Sequence, residues 1–425
     1  MTQQFDIIIV GGGMVGATLA CALAKTGQFS VAVVEAFPLL RKQASGKTNG
    51  KQGQNELPAY TPSYDARSTA LSEGSCRMLA GLGLLAAINE RAEAIKQIHV
   101  SDQGKFGVTR ISCDEEEVES FGRVVENPWF GQVLINALHD HEGITLFSPA
   151  KVVALVAENT AEENSSGAVQ VQVDTENGPL NLKADLLVAA DGEESACCRY
   201  LHIDKAVHDY GQSALVANLT PVKAHQNIAY ERFTESGPMA LLPLVDDRFA
   251  LVFTVPANDS DYYLNMDDRA FIKAVNERIG GRVGGFNKVG ERACYPLKLM
   301  RAKEQIRPAC VVLGNAAHSL HPVAGQGLNL SLRDVAFLSS TLSAAKKNGQ
   351  HIGSLPVLES YLNTRALDQE TTIQFSDKLM RLFSNNSAFL SAGRNLGMVA
   401  LDLWPGGKKI LTRHAMGLSA GIPDL

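Results

Sequence analysis

The chain has 425 residues, and 45 Asp and Glu against 39 Lys and Arg leave a formal net charge of −6. This mildly acidic balance argues against a nucleic-acid binder, which normally shows a basic face. The seven cysteines include no Cys-x-x-Cys pair, so the composition predicts no disulfide framework and no metal site.

The N-terminal residues predict a β-α-β unit. Residues 5–10 form an apolar run typical of a buried parallel strand. Residues 14–26 repeat apolar side chains at helical spacing, and Gly27 follows as a helix stop. Residues 31–35 are a second apolar run and predict the second strand.

Three glycines, Gly11, Gly13 and Gly16, lie between the first predicted strand and the helix. We expect Gly11 to allow the tight turn, Gly13 to let a pyrophosphate approach the backbone, and Gly16 to let the helix pack closely on the strand. The helix begins with Met14 and Val15, whose N–H groups present a positive partial charge to the phosphates. The sequence therefore predicts a dinucleotide site.

The acidic residue Glu35 ends the second predicted strand, 19 residues after Gly16. An acid at this spacing accepts hydrogen bonds from a ribose 2′-OH. It favours an unphosphorylated adenosine ribose, and so FAD or NAD rather than NADP. The glycine turn by itself leaves the choice between FAD and NAD open.

The segment after this unit, residues 40–64, is polar and ends with two prolines, which predicts a surface loop. This loop is either an insertion without a chemical role or a lid over the cofactor.

The remaining elements follow from periodicity and turn signals. Predicted helices cover residues 69–84, 130–139, 270–279, 327–345 and most of 355–403. Predicted hairpins pair 95–100 with 108–112 and 152–156 with 169–173, single strands lie at 185–190 and 310–313, and an antiparallel sheet covers 207–295.

Two later segments carry glycine-rich turns after short predicted strands. The first ends in Asp191-Gly192, and the second runs from Gly314-Asn315-Ala-Ala-His318 to Gly325-Gln326-Gly327-Leu328-Asn329. The short strand delivers Asn315 to its ligand, and the glycines let the loop approach a ring system. The helix that starts near Gly327 directs its positive end at the bound group, which suits the negative charge of a reduced flavin.

Both segments resemble the group A flavoprotein aromatic hydroxylases, the family of para-hydroxybenzoate hydroxylase. The resemblance implies FAD as the cofactor, with Asp191, Asn315 and residues 325–329 at the flavin. Two positions depart from the family pattern. Asn315 replaces an Asp, and Cys198 stands where the family has an Arg, with Arg199 next to it. The co-substrate is therefore left as NADPH or NADH.

The segment Asp65-Ala-Arg67-Ser-Thr-Ala-Leu71 resembles the family segment whose Arg contacts the FAD pyrophosphate. The alternative for Arg67 is a solvated charge at a helix start. Gln132, at the start of a predicted helix, is a second flavin-contact candidate. His318 and His321 are either bases or packed loop residues, so the sequence assigns no catalytic acid or base.

A narrower resemblance covers nearly the whole chain. Glu231-Arg232-Phe233-x-x-x-Gly237-Pro238 and Arg333-Asp334 look like the ubiquinone-biosynthesis branch of the family. Asn315 and the run from Arg394 to Gly417 look most like the members that act on 2-octaprenyl-6-methoxyphenol. This implies that NADPH or NADH reduces FAD and that O2 then supplies one oxygen atom to a prenylated phenol.

The resemblance implies an α/β fold in which a Rossmann-like FAD-binding domain joins a mostly antiparallel-sheet substrate domain and a helical C-terminus. The implied FAD-binding domain is discontinuous. It comprises residues 1–75, 125–200 and 296–345, the substrate domain 76–124 and 201–295, and the C-terminal segment 346–425. A pocket is predicted between the sheet and the loop at 322–327. The apolar strands 239–244 and 251–255 would line it or form an ordinary sheet core.

The sequence leaves three other functions open. They are a sister ring hydroxylase of the same pathway, a hydroxylase of soluble phenols, and a non-catalytic FAD-binding assembly subunit. No signal peptide or run of about 20 apolar residues is evident, which predicts a cytoplasmic protein. The apolar stretch 379–403 predicts either peripheral contact with a membrane or partner enzymes, or ordinary helix packing.

Overall fold

The computed structural model describes residues 2–41, 67–105, 107–157, 167–320 and 325–383, together with single positions between 406 and 423. Nearly all of the predicted loop at 40–64 lies outside the described residues. The same holds for residues 321–324, which include His321, and for residues 384–403 of the predicted C-terminal contact segment.

The strands are, in chain order, β1 (Thr2–Val10), β2 (Val31–Val34), β3 (Ser68–Ser72), β4 (Ala92–Ala94), β5 (Gln97–Asp102), β6 (Val108–Ser112), β7 (Gly122–Glu126), β8 (Ile144–Phe147), β9 (Ala150–Ala157), β10 (Val169–Thr175), β11 (Gly178–Ala189), β12 (Lys205–Pro221), β13 (Ile228–Thr234), β14 (Gly237–Leu244), β15 (Arg248–Pro256), β16 (Phe286–Val289), β17 (Ala293–Ala302), β18 (Ile306–Arg307), β19 (Cys310–Val312) and β20 (His318–Ser319).

The helices are, in chain order, α1 (Met14–Lys25), α2 (Glu73–Gly81), α3 (Leu85–Asn89), α4 (Cys113–Glu116), α5 (Asn127–Asp140), α6 (Ala196–Tyr200), α7 (Ser260–Leu264), α8 (Asp268–Ile279), α9 (Gln326–Lys347) and α10 (Leu355–Phe383). No helix of the described residues is long and apolar enough to cross a membrane.

The first sheet has the strand order β18-β19-β11-β1-β2-β8, and β19, β11, β1, β2 and β8 run parallel. Its central strands are buried on both faces, which explains why their sequences are continuous apolar runs. Ile7 and Ile9 pack against α1, α5 and α9, whereas Ile8 and Val10 face the β9–β10 hairpin. The predicted β-α-β unit and this hairpin are confirmed.

The second sheet has the strand order β20-β17-β12-β15-β14-β13-β5-β6. Leu215, Leu241 and Phe253 pack on one face against α8. The predicted helix at 270–279 and the hairpin of β5 and β6 are confirmed. The predicted mostly antiparallel sheet is confirmed, and its one parallel pair joins β13 to β5, a strand far away in sequence.

The third sheet consists of β3, β7 and β4 and corrects the prediction of a helix over 69–84. Residues 68–72 form a strand that pairs with β7 from Ser68 opposite Glu126 to Ser72 opposite Gly122. The helix α2 begins only at Glu73, where the Ser72 hydroxyl caps it by accepting a hydrogen bond from the Ser75 N–H (3.3 Å). A distant strand outweighs the local helical pattern here.

Candidate active site

Four of the predicted site positions lie within three residues after the end of a parallel strand of the first sheet. Gly11 follows β1, Glu35 follows β2, Asp191 lies two residues after β11, and Asn315 lies three residues after β19. Since β19, β11, β1 and β2 are neighbours and parallel, their carboxyl ends meet at one edge of the sheet. Open α/β sheets bind their ligands at this edge.

The glycine turn is built from contacts that leave no room for side chains. Gly11 has a positive φ of +106°, and a Cβ atom on it would lie 2.3 Å from the carbonyl oxygen of Ala190. A Cβ on Gly16 would lie 1.9 Å from the Gly11 oxygen, so this glycine lets α1 approach the turn. Gly13 is the N-cap of α1 with φ −70° and ψ −174°, and it is half-buried.

The start of α1 meets the turn after β19. A Cβ on Gly314, whose φ is +66°, would lie 3.2 Å from both methyl groups of Val15. Met14 and Val15 stay half-buried, and Asn315 is exposed at the same edge. The structure therefore brings together two motifs that lie about 300 residues apart in the chain.

Glu35 holds the glycine turn through its carboxylate. One oxygen accepts a hydrogen bond from the Gly12 N–H (2.6 Å), and the other accepts one from the Phe37 N–H (3.0 Å). Burial raises the pKa of Glu35 above its ordinary value, although these backbone N–H groups partly offset the effect, and the charge of Asp191 raises it further. Each carboxylate oxygen has a second lone pair, which leaves capacity for a ribose hydroxyl.

Asp191 organises the loop that follows β11. One carboxylate oxygen accepts a hydrogen bond from the Ser195 hydroxyl (2.6 Å), and the other accepts one from the Cys197 N–H (3.0 Å). The Ser195 oxygen in turn accepts a hydrogen bond from the Cys198 N–H (2.9 Å) and caps α6. The Asp191 side chain thus fixes the conformation of the loop after β11, at the same edge of the sheet as the glycine turn.

Asn329 fixes the loop at the start of α9. Its amide nitrogen donates to the carbonyl oxygens of Ala70 (2.8 Å) and Gly325 (2.7 Å). Its amide oxygen accepts from the Ser72 N–H and the Ser75 hydroxyl, both at 2.8 Å. An amide offers two donors and two acceptor lone pairs, so protein groups occupy all four. The side chain holds the loop in position.

The loop itself presents backbone to the site. Gly325 adopts the left-handed region with φ +61° and precedes the first residue of α9. Gln326 is buried, whereas Gly327 and Leu328 are half-buried. The first turn of a helix carries N–H groups without partners inside the helix, and these attract negative charge.

Arg67 and Gln132 lie on two connected elements. The Arg67 guanidinium lies 4.5 Å above the ring of Tyr295, and its carbonyl oxygen accepts a hydrogen bond from the Asn127 N–H (2.9 Å) at the start of α5. Gln132 is buried on α5 and donates to Asn136 (3.0 Å), but its amide oxygen has no partner among the described residues. A buried oxygen of this kind fits a site completed by a ligand's donor.

His318 is a packed residue within a buried charge network. Its Nε2 lies 2.9 Å from Asp334, whose other oxygen accepts a hydrogen bond from Arg365 (2.6 Å). Arg365 continues to Asp368, which also pairs with Arg333 (2.8 Å). Burial by itself raises the pKa of Asp334, but the His318 hydrogen bond and the Arg365 charge outweigh it, so the pKa lies below its ordinary value. The network joins α9 to α10.

These features fit FAD: a glycine turn, two helix starts, an acid after β2 and a buried amide that lacks a partner. Residues 59–376 match the model of a family described as FAD binding domain. Ubiquinone hydroxylase UbiL of Rhodospirillum rubrum is 32% identical over 97% of this chain and 89% of its own length. The chain belongs to the FAD-dependent hydroxylases of ubiquinone biosynthesis.

Further comparisons agree with this family. 3-Demethoxyubiquinol 3-hydroxylase of Escherichia coli (strain K12) is 29% identical, with 98% of this hydroxylase and 99% of that protein covered. The crystal structure of p-nitrophenol 4-monooxygenase PnpA from Pseudomonas putida superposes with a TM-score of 0.75 at 16% identity, covering 98% of this chain and 99% of that one. The predicted fold class, FAD cofactor and monooxygenase activity are confirmed.

Several residues at the site were not predicted from the sequence. Gly12 binds Glu35, Tyr295 lies under Arg67, and Ser72 and Ser75 bind Asn329. The only sequence signal was a third glycine in the turn, because the other contacts join positions far apart in the chain.

Proposed function

We propose that this hydroxylase converts 2-octaprenyl-6-methoxyphenol to 2-octaprenyl-6-methoxy-1,4-benzenediol with NADPH or NADH and O2. The support is the resemblance to the members that act on this phenol, together with one structural observation. A half-buried apolar strip crosses the second sheet on the face that is turned toward the third sheet, which contains β3 and β7.

The strip runs in register across three strands of the second sheet. Ala240 of β14 pairs with Val252 of β15, and Val252 pairs with Val216 of β12. All three are half-buried, whereas their neighbours on the opposite face are fully buried. Leu242 extends the strip by one row. Apolar side chains that keep accessible surface inside a fold suit an apolar ligand.

Two contacts orient this face. Asn218, two residues after Val216, donates to Glu126 of β7 (3.3 Å). Tyr295, which pairs with Ala214, lies under Arg67. The strip therefore faces the sheet that contains β3 and β7, and Ala70 of β3 packs beside Gly325 of the α9 loop.

The sequence predicts that strands 239–244 and 251–255 line a channel or form a sheet core. Successive side chains of a strand point to opposite faces of the sheet, so each of these two strands contributes to both. Leu241, Leu251, Phe253 and Val255 belong to the core with α8. Ala240, Leu242 and Val252 occupy the other face, so half of the predicted lining remains available to a substrate. A prenyl tail gains about 0.8 kcal/mol per buried CH₂, which favours such a surface.

The residues that the sequence predicts at the cofactor are proposed to hold FAD. The α1 start and Arg67 would bind the pyrophosphate, Glu35 the ribose, Asn315 a ribityl hydroxyl, and the α9 start the flavin ring. The Gln132 oxygen without a partner supports a contact from α5. When bound and reduced, FAD activates O2 for transfer of one oxygen atom to the ring. The FAD-binding domain of this proposal is discontinuous and comprises residues 1–75, 125–200 and 296–345.

Peripheral membrane contact through residues 379–403 is also proposed, since a prenylated phenol partitions out of water. Met416 is buried against the second and third sheets, so removing everything after residue 380 would disturb the core. Replacing Phe389 and Leu390 with Ser is the milder test. Loss of sedimentation with lipid vesicles supports the proposal, and unchanged sedimentation favours ordinary helix packing.

A substrate panel tests the function. FAD-loaded protein receives prenylated and non-prenylated methoxyphenols, and NADPH or NADH oxidation is followed together with product formation. Product from the prenylated 6-methoxyphenol is expected. Turnover restricted to small phenols indicates a hydroxylase of soluble phenols, a product oxidised at another ring position indicates a sister enzyme, and no turnover with bound FAD indicates an assembly subunit.

A further inference from the structure

Glu231 is an acidic residue in line with the apolar strip. It lies on β13, where it pairs with Ala240 of β14 on one side and Val100 of β5 on the other. Residues in register share a face of the sheet, so Glu231, Ala240 and Val252 point the same way. Tyr230, its neighbour in sequence, packs on the opposite face with α8.

The residues beside Glu231 on β13 connect the second sheet with the α9 loop through one hydrophobic cluster. Ala229, two residues earlier on β13 and about 6.6 Å along the strand, belongs to the cluster that includes Ala70 and Leu242. Ala70 in turn lies 3.4 Å from where a Cβ of Gly325 would be. Glu231 therefore faces the space between the second sheet and the loop proposed to hold the flavin ring.

The carboxyl of Glu231 has no neutralising partner in the described part of the chain. No described residue forms a hydrogen bond or an ion pair with it. Half-buried Glu126 is a useful contrast, because Arg248 binds both of its oxygens (3.1 and 3.0 Å). Burial raises the pKa of Glu231 to about 8. A half-buried carboxyl that no charge or hydrogen bond compensates lowers stability, so its presence needs another explanation.

The charged groups around Glu231 do not account for its raised pKa. Asp102 lies on the same face of β5, and Arg67 and Glu126 lie across from the sheet, where they contact Tyr295 and Arg248. Burial is the cause of the raised pKa of Glu231. Its side chain nevertheless remains half-buried, so a ligand in the space between sheet and loop can reach it.

We propose that Glu231 is the base that removes the proton from the phenolic hydroxyl of the substrate. This inference rests on the proposed function. The phenol O–H bond breaks, its electron pair stays on the phenol oxygen, and the proton forms an O–H bond on the Glu231 carboxylate. No oxidation occurs in this step, and the phenolate enriches the ring in electrons at the positions ortho and para to the oxygen.

The proton returns later in the cycle. After the ring has accepted an oxygen atom, the ring carbon releases its own proton to water, and Glu231 gives its proton back to the phenolate oxygen. The side chain then starts the next turnover in its original state. General bases work best when their pKa lies near the working pH, which a carboxyl at about 8 satisfies.

The turnover test compares Glu231→Gln with Glu231→Asp and with the matched control Glu235→Gln, which alters an exposed carboxyl at the turn after β13. Glu231→Gln should lower kcat about 10²-fold with FAD absorption and KM maintained, and the rise of kcat through about pH 8 should disappear. Glu231→Asp should restore part of the rate. With a fluorinated phenol that is already ionised, the difference in kcat between wild type and Glu231→Gln should become smaller. A purely structural role of Glu231 predicts the same difference for both phenols.

A second readout needs no turnover. The folded-state pKa of Glu231 is raised above the ordinary 4.5, so the unfolded chain releases this proton first and wild-type stability falls between pH 4.5 and about 8. Glu231→Gln should lack this fall in urea unfolding, and Glu235→Gln should keep it. Unchanged kcat and pH profile in Glu231→Gln would overturn the role of Glu231 alone. Wild-type protein that turns over no phenol would overturn the proposed function as well.

Discussion

The guanidinium of Arg67 lies 4.5 Å above the ring of Tyr295 and joins the chain that leads into β3 to a strand of the second sheet. An aromatic face attracts a cation and limits its rotamers. This contact therefore holds Arg67 between the third sheet, where β3 begins, and the second sheet, which carries the apolar strip.

Replacing Tyr295 with Leu should weaken FAD binding by about 0.5–2 kcal/mol, because the stacked ring orients Arg67, which is proposed to bind the pyrophosphate. Tyr295→Phe keeps the ring and should bind FAD nearly as the wild type does. Tyr262→Leu, at a side chain that is 68% exposed, is the control. Flavin fluorescence titration measures the affinity, and wild-type affinity in Tyr295→Leu would argue against this orienting role.

A methyl group on Gly16 should disrupt the turn itself. Because its Cβ would lie 1.9 Å from the Gly11 oxygen, Gly16→Ala should lower the free energy of unfolding by about 1–3 kcal/mol or more and prevent FAD uptake. Gly281→Ala, where the added Cβ meets nothing within 4 Å, is the matched control and should be close to neutral. Urea unfolding of both variants decides whether the close approach matters.

Gly13→Val separates cofactor binding from folding. The φ of −70° and ψ of −174° at Gly13 are open to a branched residue, so the unfolding free energy should change by less than about 1 kcal/mol. The new side chain would occupy the space proposed for the pyrophosphate, and FAD binding should be lost. Retained FAD absorbance after gel filtration would refute this position for the pyrophosphate.

Replacing the Asn329 amide with a carboxylate is expected to destabilise the protein. Asn329→Asp replaces two donors with an acceptor that faces the Ala70 and Gly325 carbonyl oxygens, so each lost partner should destabilise the protein by about 1–3 kcal/mol. Asn181→Asp on the exposed side of β11 makes the same chemical change without these contacts. Equal melting temperatures for the two variants would contradict the role of Asn329 in fixing the loop.

The buried network around Asp334 predicts a dependence of stability on acid. The folded-state pKa of Asp334 is lowered below the ordinary 3.8, so its contribution is present above that value and is lost as pH falls through the folded-state pKa. Asp334→Asn should remove this part of the acid dependence.

The same variant leaves Arg365 buried with one partner fewer, so it should destabilise the protein by about 3–5 kcal/mol at neutral pH. Asp174→Asn on the exposed face of β10 is the control. Acid unfolding curves for Asp334→Asn that run parallel to those of the wild type would show that the network contributes nothing specific.

The sequence by itself determined the parts of this protein that depend on local chemistry. The apolar runs identified the parallel strands, and Gly11, Gly16 and Glu35 identified the dinucleotide turn, because the approach of Gly16 to the Gly11 oxygen and the hydrogen bond of Glu35 to Gly12 are made within 35 residues. The strand–turn sequence at 310–315 was equally local, and α9 began within one residue of the predicted start.

The tertiary structure alone decided what depends on pairing across the chain. Residues 68–72 became a strand because β7 pairs with them, and the Asn329 amide was satisfied by Ser72, 257 residues away. Which face Glu231 and Ala240 occupy follows from the register of β13 and β14 and from the β5 partner. A shift by one residue would exchange the two faces, and no local pattern in a strand with Glu231 next to Arg232 specifies which charge turns inward.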